Sequence, residues 1–209
     1  MPKLGMEPLR RDQLIRATFQ TIDEQGLADA TMATIANRAG LSSGIIAHYF
    51  GDKEGLLNAA MRQILRELKA AVDTCRSAAA GDPRAQLRAV VDGNFDQSQI
   101  NGCAMRVWLT FWAASMHQPE LARLQRANDR RLFSNLACQF ARVLPIQQAR
   151  LAGRGLAALI DGLWLRGSLA GEEFNVDKAC DIAYDYIDFQ LDSAQAQSTH
   201  HVPTHPGMQ

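Results

Sequence analysis

Three aromatic residues, Trp108, Phe111 and Trp112, stand at i, i+3 and i+4 of the run RVWLTFW. On a helix that spacing places all three rings on one side. A second run, LAALIDGLWL, is apolar except for Asp161, and Trp164 follows the acid three residues on. A carboxylate and a ring can therefore share a face. Ring faces backed by a carboxylate attract a cation that has no hydrogen-bond donors of its own. The same residues also suit a packed core, with Asp161 answered by an arginine such as Arg154 or Arg106. Spacing alone leaves both readings open.

A different chemistry is offered by TMATIANRAGLSSGIIAHYFGDKEGLL, residues 31–57. Thr31 is a good N-cap, and Met32, Ile35, Ala36 and Ala39 follow at helical spacing before Gly40 ends the helix. Ser42 then caps a third helix, whose Ile46 and Phe50 face inward with Leu41 before Gly51 stops it. A helix of about two turns is unstable alone, because isolated helices below about 12 residues are marginal. It must be held by neighbours, and two helices joined by a short glycine turn and braced by a third form a helix-turn-helix. In that arrangement the short helix offers its first turn to base edges in a major groove. Its outward residues, Ser43, Gly44, Ile45, Ala47 and His48, are small enough for close approach. The helix N-termini at Thr31 and Ser42, together with Lys53, suit phosphate, whereas the Asp52 carboxylate opposes it.

The elements that must carry these residues read as all-α, since helical periodicity runs through most of the chain and strict alternation is absent. Helix one carries Leu14, Ile15, Phe19 and Ile22 and stops at Gly26; helix four starts near Lys53 and buries Leu57, Met61, Ile64 and Leu68. Further helices are predicted at 83–97, 102–116, 119–143, 146–168 and 175–192, with Pro119 in a first turn, Pro145 as a breaker and Asn175 as a cap. The organisation expected is a three-helix helix-turn-helix DNA-binding head over 8–55, a larger helical domain over 56–192, and a disordered tail over 193–209. Gly153, Gly155, Gly162, Leu156, Leu159 and Leu163 are candidates for a four-helix dimer interface.

Composition narrows the choice of function. The chain of 209 residues is 47% hydrophobic and 21% charged, enough for a sizeable core, and its formal net charge is zero, so contact with nucleic acid must rest on local placement of groups. Residues 1–14 show no apolar leader pattern and no run of about 18 apolar residues lacks charge, which predicts a cytoplasmic protein with no membrane contact. Cys75, Cys103, Cys138 and Cys180 are far apart, as expected of reduced buried thiols. His200, His201 and His205 lie in the tail without a framework for a metal. A helical enzyme finds little support: there is no Gly-rich phosphate loop, HExxH or GxSxG, and His117 has no partner. No catalytic residue, cofactor or metal is expected. A pure protein-interaction module is separated from a DNA-binding protein by salt-dependent duplex binding.

Ile35-Ala36, Ala39-Gly40-Leu41-Ser42, Gly44, His48-Tyr49-Phe50 and Lys53-Glu54-Gly55-Leu56-Leu57 together resemble the N-terminal signature of the TetR family of one-component repressors. The resemblance implies a homodimer on double-stranded operator DNA, with residues 56–192 as the effector-binding and dimerisation domain, Thr31, Ser42, Tyr49 and Lys53 on phosphates, and Ser43, Gly44, Ile45 and His48 nearest the bases. The chain departs from many members in having Ala47 for a tyrosine and Ser43 for a lysine, and Arg10 and Arg11 ahead of helix one are candidates to reach the backbone instead. Within the family, GIIAHYFGDKEGLLNAAMR, RVWLTFW with MHQP, and ALIDGLWLRG resemble the betaine-synthesis repressors. That resemblance implies control of genes for choline uptake and glycine betaine synthesis, with choline as the effector. Trp108, Phe111, Trp112, Asp161 and Trp164 are then the expected cage for its trimethylammonium group. The alternative is a repressor of an efflux or catabolic operon with another cationic or aromatic effector.

Overall fold

The computed structural model describes residues 6–199, and every regular element among them is helical. The head comprises α1 (Met6–Asp29), α2 (Met32–Arg38) and α3 (Ser43–Phe50). Leu14, Ile15 and Ile22 of α1 are buried against Ile35, Ala36 and Ile46. Gly26 interrupts α1 where a stop is predicted: its φ of 77° is a left-handed conformation that glycine adopts without Cβ strain, and the chain resumes helically over 27–29. Thr31 caps α2 reciprocally, its Oγ1 accepting from the Thr34 N–H at 3.1 Å while the Thr34 hydroxyl accepts from the Thr31 N–H at 2.8 Å. Gly40, with φ of 67°, turns the chain, and the Leu41 N–H closes the turn on the Ala36 carbonyl at 2.9 Å.

From Asp52, whose carboxylate accepts the Gly55 N–H at 2.7 Å, the chain enters α4 (Lys53–Ala78). Leu57, Met61, Ile64 and Leu68 are buried as their spacing requires. The helix begins among α1 and α3 and ends against α5 (Pro83–Asn94) and α8 (Pro119–Phe140), so one element serves both parts of the core. At Gly93 the α4 backbone comes so close that a Cβ would lie 2.4 Å from the Val72 Cα.

The rest of the chain forms α6 (Gln97–Ile100), α7 (Gly102–Ser115), α8, α9 (Ile146–Ala170), a 3-10 turn (Gly171–Glu173) and α10 (Val176–Thr199). The helix predicted over 83–97 ends at Asn94, because the Asp96 and Asn101 side chains take the Ser98 and Ala104 N–H groups, each at 2.9 Å, and so start α6 and α7. The disorder predicted from Ser193 is corrected as far as Thr199, which closes α10; residues 200–209, with the three tail histidines, lie outside the described residues. Cys138 is exposed rather than buried, and the other three cysteines are half-buried.

Among the expected dimer residues, three are occupied within the subunit. Gly153 packs on Ala137 of α8, Gly155 lies beneath the Tyr186 hydroxyl of α10, and Leu156 is fully buried. Leu159 and Leu163 are half-buried, while Gly162 is open. Exposed apolar side chains on these helices are Ile146, Leu151, Leu165 and Leu169 of α9 and Ile182 and Phe189 of α10. Among the described residues no helix is long and apolar enough to cross a membrane.

Candidate nucleic-acid interface and effector pocket

α3 is pinned from below and at its end. Ile46 is fully buried beneath it, and Arg11 of α1 donates from Nη1 to the Tyr49 carbonyl at 2.8 Å with its guanidinium 4.6 Å from the Phe50 ring centre. Ser42, Ser43, Gly44, Ala47 and His48 are left exposed. Nothing lies within 4 Å of where a Gly44 Cβ would stand, and the Ser42 side chain makes no capping bond. The small first turn of α3 is therefore free to approach another molecule. Ile45 and Tyr49 are half-buried, and the Tyr49 ring tilts against His48 with centres 4.9 Å apart.

Two candidates for phosphate contact are held by the protein itself. Lys53 donates from Nζ to the Leu27 carbonyl at 3.0 Å, tying the start of α4 to the end of α1. Arg11 serves α3, as described, whereas Arg10 is half-buried. Thr31 is exposed, but its hydroxyl is committed to the cap of α2. The Asp52 carboxylate likewise accepts within the first turn of α4.

The second site lies between α4, α5, α6, α7, α8 and α9. A cavity of about 380 Å³, part of it open to solvent, is lined by Trp108, Trp112, Ile160, Asp161 and Trp164, with Leu68, Asn94, Gln99, Asn128 and Leu132 completing the wall. The Trp112 and Trp164 rings meet at 5.3 Å with a 54° tilt, and Trp108 donates from Nε1 to the buried Gln99 Oε1 at 3.2 Å. Gln99 thereby fixes the plane of one ring. Among the described residues the buried Trp112 Nε1 has no hydrogen-bond partner, a donor left open beside the cavity.

Asp161 stands at the rim, still reached by solvent yet crowded by protein atoms. Burial pushes its carboxyl up to about 6, and repulsion from Asp129 adds to the shift. Neither arginine that sequence offered as its partner is available: Arg106 pairs with Asp23 of α1, and Arg154 sits 5.0 Å above the Phe133 ring. Phe111 does not line the cavity and is a fully buried core residue. At about 100° per residue, Trp108 and Trp112 diverge by only about 40°, while Phe111 lies about 60° beyond Trp108 and about 100° from Trp112, far enough round α7 to turn into the core. Sequence reasoning missed Gln99, Asn94 and Asn128. For Asn94 and Asn128 the signal was an amide on a helix stripe that otherwise reads as apolar, whereas Gln99, in a four-residue helix, gave none.

The pattern described as "BetI-type transcriptional repressor, C-terminal" matches residues 83–192, and that described as "Bacterial regulatory proteins, tetR family" matches residues 14–60. An HTH-type transcriptional regulator BetI from Stenotrophomonas maltophilia is 78% identical over 93% of this chain and 99% of its own. This chain belongs to the BetI-type repressors of the TetR family. Such proteins are transcriptional regulators, not enzymes. The family's overall shape is shared by a solved transcriptional regulator from Pseudomonas aeruginosa PAO1, at 27% identity and a TM-score of 0.76, covering 93% of this chain and 96% of that one. A regulator from Saccharomonospora viridis, solved in complex with choline, shares the fold at 23% identity and a TM-score of 0.74, covering 87% and 96%.

Proposed function

We propose that the protein represses genes for choline uptake and glycine betaine synthesis by binding operator DNA as a homodimer, and that choline in the tryptophan cavity releases it. The observation that carries the effector reading is Asp161, a carboxylate with no arginine partner, facing the same cavity as the Trp112 and Trp164 rings. A trimethylammonium group needs this combination, because it is attracted by ring faces and by negative charge but donates no ordinary hydrogen bond. Trp108 completes the cage, Phe111 supports it from the core, and the relatives' name points the same way.

On the DNA side, the exposed Ser43, Gly44, Ala47 and His48, with the edge of Ile45, form the base-facing surface. Ser42, Tyr49 and the α2 terminus at Thr31 serve the phosphates, with Lys53 joining them on release from Leu27. A two-fold dimer through the exposed faces of α9 and α10 sets two copies of α3 about 34 Å apart, one turn of duplex. Ile182 and Phe189 are the apolar contacts that such an interface would cover.

The two sites meet at α7. It carries Trp108 and Trp112 at the cavity, while its Arg106 pairs with Asp23 and its Cys103 Sγ points to the Phe19 carbonyl, 4.0 Å away, on α1. A shift of α7 on ligand binding therefore acts directly on the helix that clamps α3. A coupling of about 1–3 kcal/mol would weaken operator binding by about 5- to 150-fold. The test is fluorescence anisotropy with duplex from upstream of the protein's own gene, with and without choline, betaine and hydrophobic cations. Choline-dependent release supports the proposal; release by another cation alone would make this a repressor of a different operon.

A further inference from the structure

Beside the tryptophan cavity lies a second cleft of about 340 Å³, part of it likewise open to solvent, and the two share Leu68, Asn94, Asn128 and Leu132 as a common wall. Its distinguishing residue is Arg131 of α8. Among the described residues no carboxylate comes within 4 Å of that guanidinium; Nη2 donates to the Asn128 Oδ1 at 2.8 Å, and the nearest acid on α4, Asp73, is paired with Lys69. Arg131 is half-buried, and loss of water there lowers its pKa, an effect that Asp73 only partly opposes. Counting the charged groups of this chamber, Arg131 and Lys69 against Asp73, leaves one positive charge. The tryptophan chamber holds the opposite sign in Asp161.

We infer that the two chambers form one bipartite site, in which the tryptophan lobe takes a quaternary ammonium and the Arg131 lobe takes an anionic group carried several bonds away on the same molecule. This rests on the cation-cage reading above and extends the effector class to anionic esters of choline. A carboxylate only one methylene from the ammonium nitrogen, as in glycine betaine, cannot leave the tryptophan lobe while the ammonium stays there. It is then held near Asp161, which repels it. A phosphate at the end of the choline chain reaches instead toward a guanidinium already stripped of part of its water, where charge-assisted hydrogen bonds are strong. Asn135, on the same stripe of α8, supplies a further amide to that lobe.

Isothermal titration of the full-length protein with choline, phosphocholine, glycine betaine and inorganic phosphate decides the matter. The expected order is phosphocholine at least threefold tighter than choline, glycine betaine weakest of the three, and phosphate alone without measurable binding. Arg131→Gln erases the phosphocholine advantage while choline affinity moves less than twofold, and Arg131→Lys keeps part of it. If wild-type protein binds phosphocholine no tighter than choline, or if the advantage survives Arg131→Gln, the second lobe is refuted while the cage stands. The wild-type comparison decides even where a variant fails to fold. If no quaternary ammonium binds at all, the cage itself is refuted, and the bipartite site with it.

Discussion

Asp161 gives the effector reading a dependence on pH that can be worked out in advance. Its carboxyl titrates near 6, held there by burial first and by Asp129 second. A cation in the tryptophan lobe interacts favourably with the carboxylate and not with the neutral acid, so binding releases a proton and pulls that pKa down. The carboxylate fraction in the free protein is about one-tenth at pH 5 and about nine-tenths at pH 7. Choline affinity is therefore expected to rise about tenfold over those two pH units, then level off. Asp129 is a second acid whose pKa burial raises, although a hydrogen bond from Gln125 opposes the rise. The variant Asp161→Asn separates the two: it keeps the shape, removes the charge, and should bind choline weakly with a nearly flat profile. The assay is calorimetric titration at pH 5, 6 and 7 in two buffers of different ionisation enthalpy, which counts the protons released. A flat wild-type profile, or an equal slope in Asp161→Asn, would show that this carboxylate does not face the ligand. The sign for stability is opposite. Because the folded pKa is raised, the native state favours the protonated acid, and the contribution of Asp161 declines as pH rises from about 4 through 6.

Other perturbations follow from the same contacts. Trp112→Ala or Trp164→Ala should weaken choline binding by about 2- to 30-fold, from a lost cation–π contact of about 0.5–2 kcal/mol, whereas Phe111→Leu should leave it within about twofold in the same titration. Arg11→Met removes the clamp on the Tyr49 carbonyl and should lower operator affinity in fluorescence anisotropy with little change in choline binding; equal loss of both would contradict a local role for Arg11. Gly93→Ala forces a Cβ onto the α4 backbone at Val72 and should cost about 1–3 kcal/mol, seen as a melting temperature lower by several degrees. Phe189→Asp, on the open face of α10, should shift the protein toward monomer in sedimentation velocity; an unchanged sedimentation coefficient would place the interface elsewhere.

The head was almost wholly legible because its signals are local. Thr31, Gly40, Ser42, Gly51 and Asp52 each act through their own or adjacent backbone, so their positions alone set where α2, α3 and α4 begin and end. The tryptophans of α7 and α9 were legible as candidates, since helical spacing shows which rings share a side. It does not show which side meets a cavity, and this is why Phe111 was grouped with Trp108 although it turns into the core. The partner of Asp161 was open for the same reason: whether Arg106 or Arg154 reaches it depends on how whole helices cross. The assignments of Arg11 and Lys53 turn on tertiary bonds to carbonyls 38 and 26 residues away. No short-range pattern carries such information.

The unbroken course of α4 bears on how the molecule comes apart. Leu56 and Leu57 near its start and Leu68 and Val72 farther along are buried on one continuous rod, with no loop between the part under α3 and the part against α5. A protease seeking a slack joint between the two halves finds none along residues 53–78, and the reading head is not a detachable module. Heat or denaturant should melt both halves in a single transition, and a fragment ending near residue 55 should stay unfolded because it leaves behind the rod on which its own core rests.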